Sequence, residues 1–159
     1  MTPDQLAKSG TEHGHQRALM AFCNMAARIG FVEAWKWADE LPFQAIDVNA
    51  PLALPCLKWF HAIHNQGHGD MVRGAMAKAE GTKKGVADTF LPLPKGGFAG
   101  LYIEMKKPSE RAKRAGNELK GASPEQLEFK EYSQAVGYGW ALCYSWREAA
   151  QMLQGYIEQ

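Results

Sequence analysis

Asp88, Glu104 and Lys106 are the residues whose types and spacing best suit chemistry in this chain. Side chains two apart on a strand project to one face, about 6.6 Å apart along it. In Ile103-Glu104-Met105-Lys106 a carboxylate and an ammonium therefore align, while Ile103 and Met105 face the opposite side. Asp88 belongs to the preceding apolar run, where antiparallel pairing would bring its carboxylate across from Glu104. Two such charges repel, and a hard divalent cation between them relieves the repulsion. Mg²⁺ in particular takes one or two carboxylates and fills its remaining positions with water and phosphate oxygens. A centre of that kind polarises a scissile phosphate and lowers the pKa of a bound water. Lys106 would orient and help deprotonate the attacking water, and would offset charge building on phosphorus. The competing reading is a strand face that alternates acid and base for solubility.

These side chains need a frame, and the apolar patterning supplies one. Val86–Leu91 and Leu101–Met105 are short β-branched and apolar runs separated by Pro92, Pro94, Gly96 and Gly97, which predicts a hairpin holding Asp88 in one strand and Glu104 in the other. Pro108 ends the second run, and the polar segment to Gly121 reads as an exposed, mobile loop. Ser123-Pro124-Glu125 then announces a helix, with serine as N-cap, proline in the first position and acid in the first turn, running to about Val136. Upstream, Thr11–Arg28 repeats Leu19, Phe22, Cys23 and Ala26 at helical steps, with Gly30 as the stop. Leu41–Pro55 reads as a long connection, Leu57–His64 as a strand and Asp70–Ala79 as a helix. Trp140–Trp146 reads as a strand and Glu148–Ile157 as a terminal helix. The order helix, strand, helix, hairpin, helix, strand, helix predicts an α/β fold, a mixed sheet flanked by helices on both faces.

Composition bounds the remaining possibilities. The 159 residues, 46% hydrophobic and 22% charged, are those of an ordinary globular chain, and one domain spanning 1–159 is expected. No apolar stretch is long enough for a membrane span, and the N-terminus carries Asp4, Lys8 and Glu12 in place of a signal peptide's apolar run, so a cytoplasmic protein with no membrane partner is expected. Cys23, Cys56 and Cys143 fit neither a disulfide framework nor a zinc ribbon and read as reduced thiols. A formal net charge of +1 leaves the distribution of charge to decide. Between Lys106 and Lys120, Lys107, Arg111, Lys113 and Arg114 outweigh Glu110 and Glu118, a plausible phosphate-facing edge. A solvated loop with scattered charge is the plainer account.

Three ordered motifs carry a resemblance. Gly85-Val86-Ala87-Asp88, Gly100-Leu101-Tyr102-Ile103-Glu104-Met105-Lys106 and Ser123-Pro124-Glu125-Gln126 resemble the VRR-NUC nucleases, a branch of the PD-(D/E)xK superfamily. The resemblance extends through Thr11-Glu12-His13-Gly14-His15-Gln16 and Lys78-Ala79-Glu80-Gly81, covering most of the chain except the proline-containing connection. It implies a restriction-endonuclease-like core of αβββαβ order and a divalent metal, Mg²⁺ or Mn²⁺, held by Asp88 and Glu104 with Glu12 from the first helix. It also implies a catalytic Lys106, with Gln126 as a further active-site residue. Stand-alone members, typical of phages and bacteria, are similar to homodimeric endonucleases acting on branched DNA such as four-way junctions. The chain departs from the family in having Ala87 where proline usually precedes the aspartate, a change expected to alter rigidity more than activity. Retention of the fold as a non-catalytic binding module is the alternative.

Other features have plainer readings. His61, His64 and His68, with His13 and His15, invite a zinc site, but His61 and His64 would face opposite sides of a strand and no cysteine pair completes a ligand set. His64 and Asn65 are candidates for substrate contact, with a plain turn the simpler reading. Lys83-Lys84-Gly85 and Lys95-Gly96-Gly97 lack a full phosphate-loop fingerprint and read as turns, with Lys83 and Lys84 adding possible phosphate contacts. Trp35, Trp37, Trp59, Trp140 and Trp146 read as core or interface.

Overall fold

The computed structural model describes residues 1–64 and 71–159. A short helix, α1 (Pro3–Ala7), precedes the long α2 (Glu12–Ala38), which starts where the Thr11 hydroxyl accepts the Gly14 N–H at 3.1 Å. The buried stripe of α2 runs through Ala18, Leu19, Phe22, Cys23 and Ala26, the periodicity of an amphipathic helix. Gly30 interrupts it at φ 80°, ψ 168°, yet helix resumes to Ala38, so the expected stop is a kink. The second half is worth continuing because it buries Phe31 and Ala34 and sets Trp35 against Phe22 and Trp146, at ring-centroid distances of 4.4 and 5.8 Å.

An irregular connection follows, as the prolines imply, and leads into a 3₁₀ turn over Pro55–Trp59. The strand expected over Leu57–His64 shrinks to β1 (His61–Ala62). Pro55 presets a helical φ at the first position of the turn, and the buried residues Leu57 and Phe60 stand three apart, a helical spacing. Helix α3 (Met71–Ala79) buries none of its residues, and the expected first residue, Asp70, lies outside the described residues.

The centre follows the sequence pattern closely. β2 (Thr89–Leu91) pairs antiparallel with β3 (Leu101–Met105), Thr89 opposite Ile103 and Leu91 opposite Leu101. β2 is shorter than the expected Val86–Leu91 and leaves Asp88 one residue outside it. Helix α4 (Pro124–Ala135) crosses over to β4 (Gly139–Cys143), which runs parallel to β3. The strand expected to reach Trp146 ends at Cys143, because the Ser145 hydroxyl accepts the Glu148 N–H at 3.2 Å and caps α5 (Trp146–Ile157). Trp146 thus enters the core from a helix.

The sheet order is β1-β2-β3-β4. Leu101, Ile103 and Met105 join the core with α2 and α5, while on the other face Tyr102 meets Phe129 of α4 edge-on at 5.0 Å. Helices therefore cover both faces of a mixed sheet. No helix among the described residues is long and apolar enough to cross a membrane.

Candidate active site

Extending the β2–β3 register by one step sets Asp88 opposite Glu104. Asp88 has left the ladder but is held in line: its Oδ2 accepts the Met105 N–H at 2.7 Å, and its carbonyl accepts the Ile63 N–H at 2.7 Å. Lys106 lies one residue beyond β3, yet its N–H continues the parallel ladder to the Cys143 carbonyl at 2.9 Å. The strand alternation thus persists through Lys106, and Nζ stands 2.9 Å from Glu104 Oε1. Glu12, in the first turn of α2, closes the group, its Oε2 3.9 Å from the same ammonium.

Glu104 is 1% exposed. Its Oε1 receives both Lys106 and the Gln126 side-chain amide, while Oε2 is buried without a hydrogen-bond partner. A reciprocal cap at the start of α4 aims Gln126: the Ser123 hydroxyl accepts the Gln126 N–H at 3.2 Å, and Gln126 Oε1 accepts the Ser123 N–H at 2.8 Å. With its oxygen so occupied, the Gln126 amide presents NH₂ to Glu104. The pattern Ser-x-x-Gln was available in the sequence and is what makes Gln126 a positioning group.

Gly85 brings the first and third motifs together. Its φ is +88°, and a Cβ there would run into the backbone of Glu125. Glycine alone lets the Gly85–Asp88 segment pass against the α4 N-terminus at this distance, and Lys84 bridges the same place with a 2.5 Å ion pair to Glu125. Ala87 is fully buried.

Three carboxylates surround one ammonium, and their acidities follow. Burial first, then the Asp88 charge, pushes Glu104 up to about 8. Burial also raises Asp88, against the pull of the Met105 N–H, and raises Glu12, against the pull of Lys106. Burial works against the Lys106 ammonium, but Glu104, Glu12 and Asp88 together raise its pKa, so it stays charged. Among the described residues no three His, Cys, Asp or Glu side chains converge into a ready-made cage, so Glu12, Asp88 and Glu104 do not enclose an ion by themselves.

The expected phosphate contacts divide in two. Lys83, Lys107, Lys113 and Arg114 are exposed and have no ion-pair partner among the described residues, whereas Lys84 is paired with Glu125. Arg111 forms an ion pair with Glu148 and lies 4.8 Å over the Tyr144 ring. The loop expected to be mobile is also tethered, since the Tyr144 hydroxyl donates to the carbonyls of Lys120, at 2.6 Å, and Glu118, at 3.1 Å. Nothing in the sequence marks Tyr144 for this role.

The remaining candidates lie apart. His61 Nδ1 is 2.8 Å from the Trp59 carbonyl and His64 is exposed, while Asn65 and His68 lie outside the described residues. Cys23 and Cys143 are buried, and burial raises both thiols, so neither is poised as a nucleophile. Of the tryptophans expected in core or interface, Trp146 and Trp140 are buried, whereas Trp59 is 64% exposed and lies outside the core.

No protein-family model matches this chain, and no curated protein matches it. A solved structure described as a VRR_NUC domain protein is similar over 93% of this chain and 88% of its own, with a TM-score of 0.54 and 22% sequence identity. At that identity the likeness concerns the fold, and the architecture is an α/β, restriction-endonuclease-like mixed sheet flanked by helices.

Proposed function

We propose that residues 1–159 act as a single divalent-metal-dependent DNA endonuclease domain, hydrolysing phosphodiester bonds at Asp88, Glu104 and Lys106. The observation that carries this reading is Glu104, a carboxylate at 1% exposure, opposite Asp88 in register, with one oxygen held by Lys106 and Gln126 and the other without a partner. Leaving a buried acceptor unsatisfied beside a like charge is costly, and an oxygen-seeking cation answers both defects. The donor set suits Mg²⁺ or Mn²⁺: Asp88 and Glu104 as ligands, Glu12 beside them, and the incomplete enclosure leaving positions for water and a phosphate oxygen. When bound, the metal supplies Lewis-acid polarisation of the phosphate and a more acidic water.

The chain's own residues do the rest. Gln126 fixes the rotation of the Glu104 carboxylate. Lys106, kept charged by three acids, orients the attacking water and faces the negative charge that grows on the phosphate. Glu12 holds the outer side of that ammonium. Lys83, Lys107, Lys113 and Arg114 pair with backbone phosphates in a sequence-independent way, and Lys84 and Arg111 join them only by leaving Glu125 and Glu148. The preference for branched DNA such as four-way junctions, and action as a homodimer with two sites about a two-fold axis, rest on the motif resemblance.

Incubation of a labelled four-way junction and a linear duplex with Mg²⁺ tests the reading. The wild type should cut the junction, and Lys106→Ala should lower the rate about 10²- to 10³-fold while its circular dichroism is unchanged. Equal cutting by the variant refutes the catalytic assignment, and junction binding without metal-dependent turnover identifies a binding module. Sedimentation that shows only monomer with and without junction DNA refutes the dimer.

A further inference from the structure

Away from the carboxylates, a groove runs along the outer side of β4, and the reaction proposed above reaches it only through the phosphate contacts of Arg111, Lys113 and Arg114 on its wall. Its volume is about 840 Å³, within the range of ligand-binding clefts. β4 ends the sheet and has strand neighbours on one side only among the described residues. The Gly139 N–H donates inward to the Gly100 carbonyl and the Cys143 carbonyl accepts inward from Lys106, both at 2.9 Å. By strand alternation, Trp140 and Leu142 turn their main-chain N–H and C=O groups outward into the groove. Residues 111–118 wall one side, and α5, through Met152 and Tyr156, walls the other.

We infer that this edge binds an extended acidic peptide by strand addition. An outward row of alternating donors and acceptors is matched best by another polypeptide backbone. The five residues of β4 offer about 16 Å of edge. The apolar lining takes every second side chain of a guest strand. Trp140, one of the lining residues, keeps a buried indole N–H with no acceptor among the described residues. Charge then selects the guest. Arg111 is neutralised by Glu148, and on the wall of the same groove Lys113 and Arg114, exposed and without an acidic partner among the described residues, outnumber the one remaining acid, Glu118. A second copy pairing β4 with β4 would bring the unpaired Lys113 and Arg114 of both copies to one seam, like charges that an acidic guest does not face. A nucleic acid strand would leave the outward main-chain row largely unmatched.

Fluorescence anisotropy with the full chain tests this. The probe is a labelled peptide of about ten residues alternating Glu and Val, beside the same peptide with Lys for Glu and one with alternate backbone amides N-methylated. The Glu-Val peptide should bind, and both control peptides at least tenfold more weakly. Lys113→Glu/Arg114→Glu and Leu142→Pro should each weaken the Glu-Val peptide at least tenfold. Proline at this position removes only an outward N–H, as edge strands tolerate. Lys106→Ala should bind the peptide like the wild type, which separates this site from the nuclease reading. Absence of binding, or equal binding of the N-methylated peptide, overturns the inference whatever the variants do. So does oligothymidine binding that depends on Leu142, or a concentration-dependent dimer that Leu142→Pro dissociates.

Discussion

Replacing Glu104 by glutamine should stabilise the metal-free protein while abolishing its proposed activity, and the size of the effect follows from the site. Glu104 ionises at about 8 in the fold because it is buried and faces Asp88, against an ordinary value of 4.5 in the unfolded chain. Between those values the native state holds a proton that the unfolded chain has released, so stability falls as pH rises through the window, by about 1.4 kcal/mol per pH unit. The loss attributable to this group is nil below about pH 4.5, about 3 kcal/mol at pH 7 and about 5 kcal/mol above pH 8, as a ceiling. Glutamine keeps the shape and carries no charge. Urea unfolding of wild type and Glu104→Gln in chelator, followed by tryptophan fluorescence at pH 5, 6, 7 and 8, should show a gap in favour of the variant that widens with pH. Mg²⁺ should then close the gap by stabilising the wild type alone. A gap independent of pH, or a wild type more stable than the variant at pH 8, would refute the account of Glu104 as a strained, ion-seeking carboxylate.

Three further outcomes test the frame around it. Gly85→Ala should destabilise the fold by at least about 1 kcal/mol and lower cleavage, since it combines a positive φ with a clash on the Glu125 backbone; unfolding and junction-cleavage assays read both. Tyr144→Phe removes the hydroxyl that tethers Glu118 and Lys120 while leaving the ring under Arg111, and should cost about 1 kcal/mol and open residues 111–120 to limited proteolysis. Ser123→Ala breaks the reciprocal cap and should cost about 1 kcal/mol. It should also lower kcat more than it raises KM, because the Gln126 amide loses its fixed orientation. An unchanged kcat in that variant would remove Gln126 from the positioning role.

Much of the frame was legible because its signals are local. β3 runs over Leu101–Met105 as the apolar run between Gly100 and the Lys106-Lys107-Pro108 end suggests, and α4 starts at the proline after the capping serine. The failures are equally particular. Leu57–His64 reads as a strand by its apolar content, but the preceding Pro55 and the three-residue spacing of Leu57 and Phe60 belong to a turn. Gly30 has the backbone of a helix stop, and only the packing of Phe31, Ala34 and Trp35 on distant residues makes a continuing helix worth its kink. Trp140–Trp146 reads as one strand by its apolar content, whereas Ser145-x-x-Glu148 has the spacing of a helix cap and places Trp146 in α5.

The site divides in the same way. Strand alternation alone aligns Glu104 with Lys106, and the Ser123-x-x-Gln126 box alone orients the glutamine, since both depend on neighbours within a few residues. How deeply Glu104 is buried, which of its oxygens lacks a partner, and the capture of Arg111 by Glu148 and Tyr144 were decided by the fold. Desolvation and charge pairing are set by what distant segments bring to a point, and spacing along the chain carries no record of that distance.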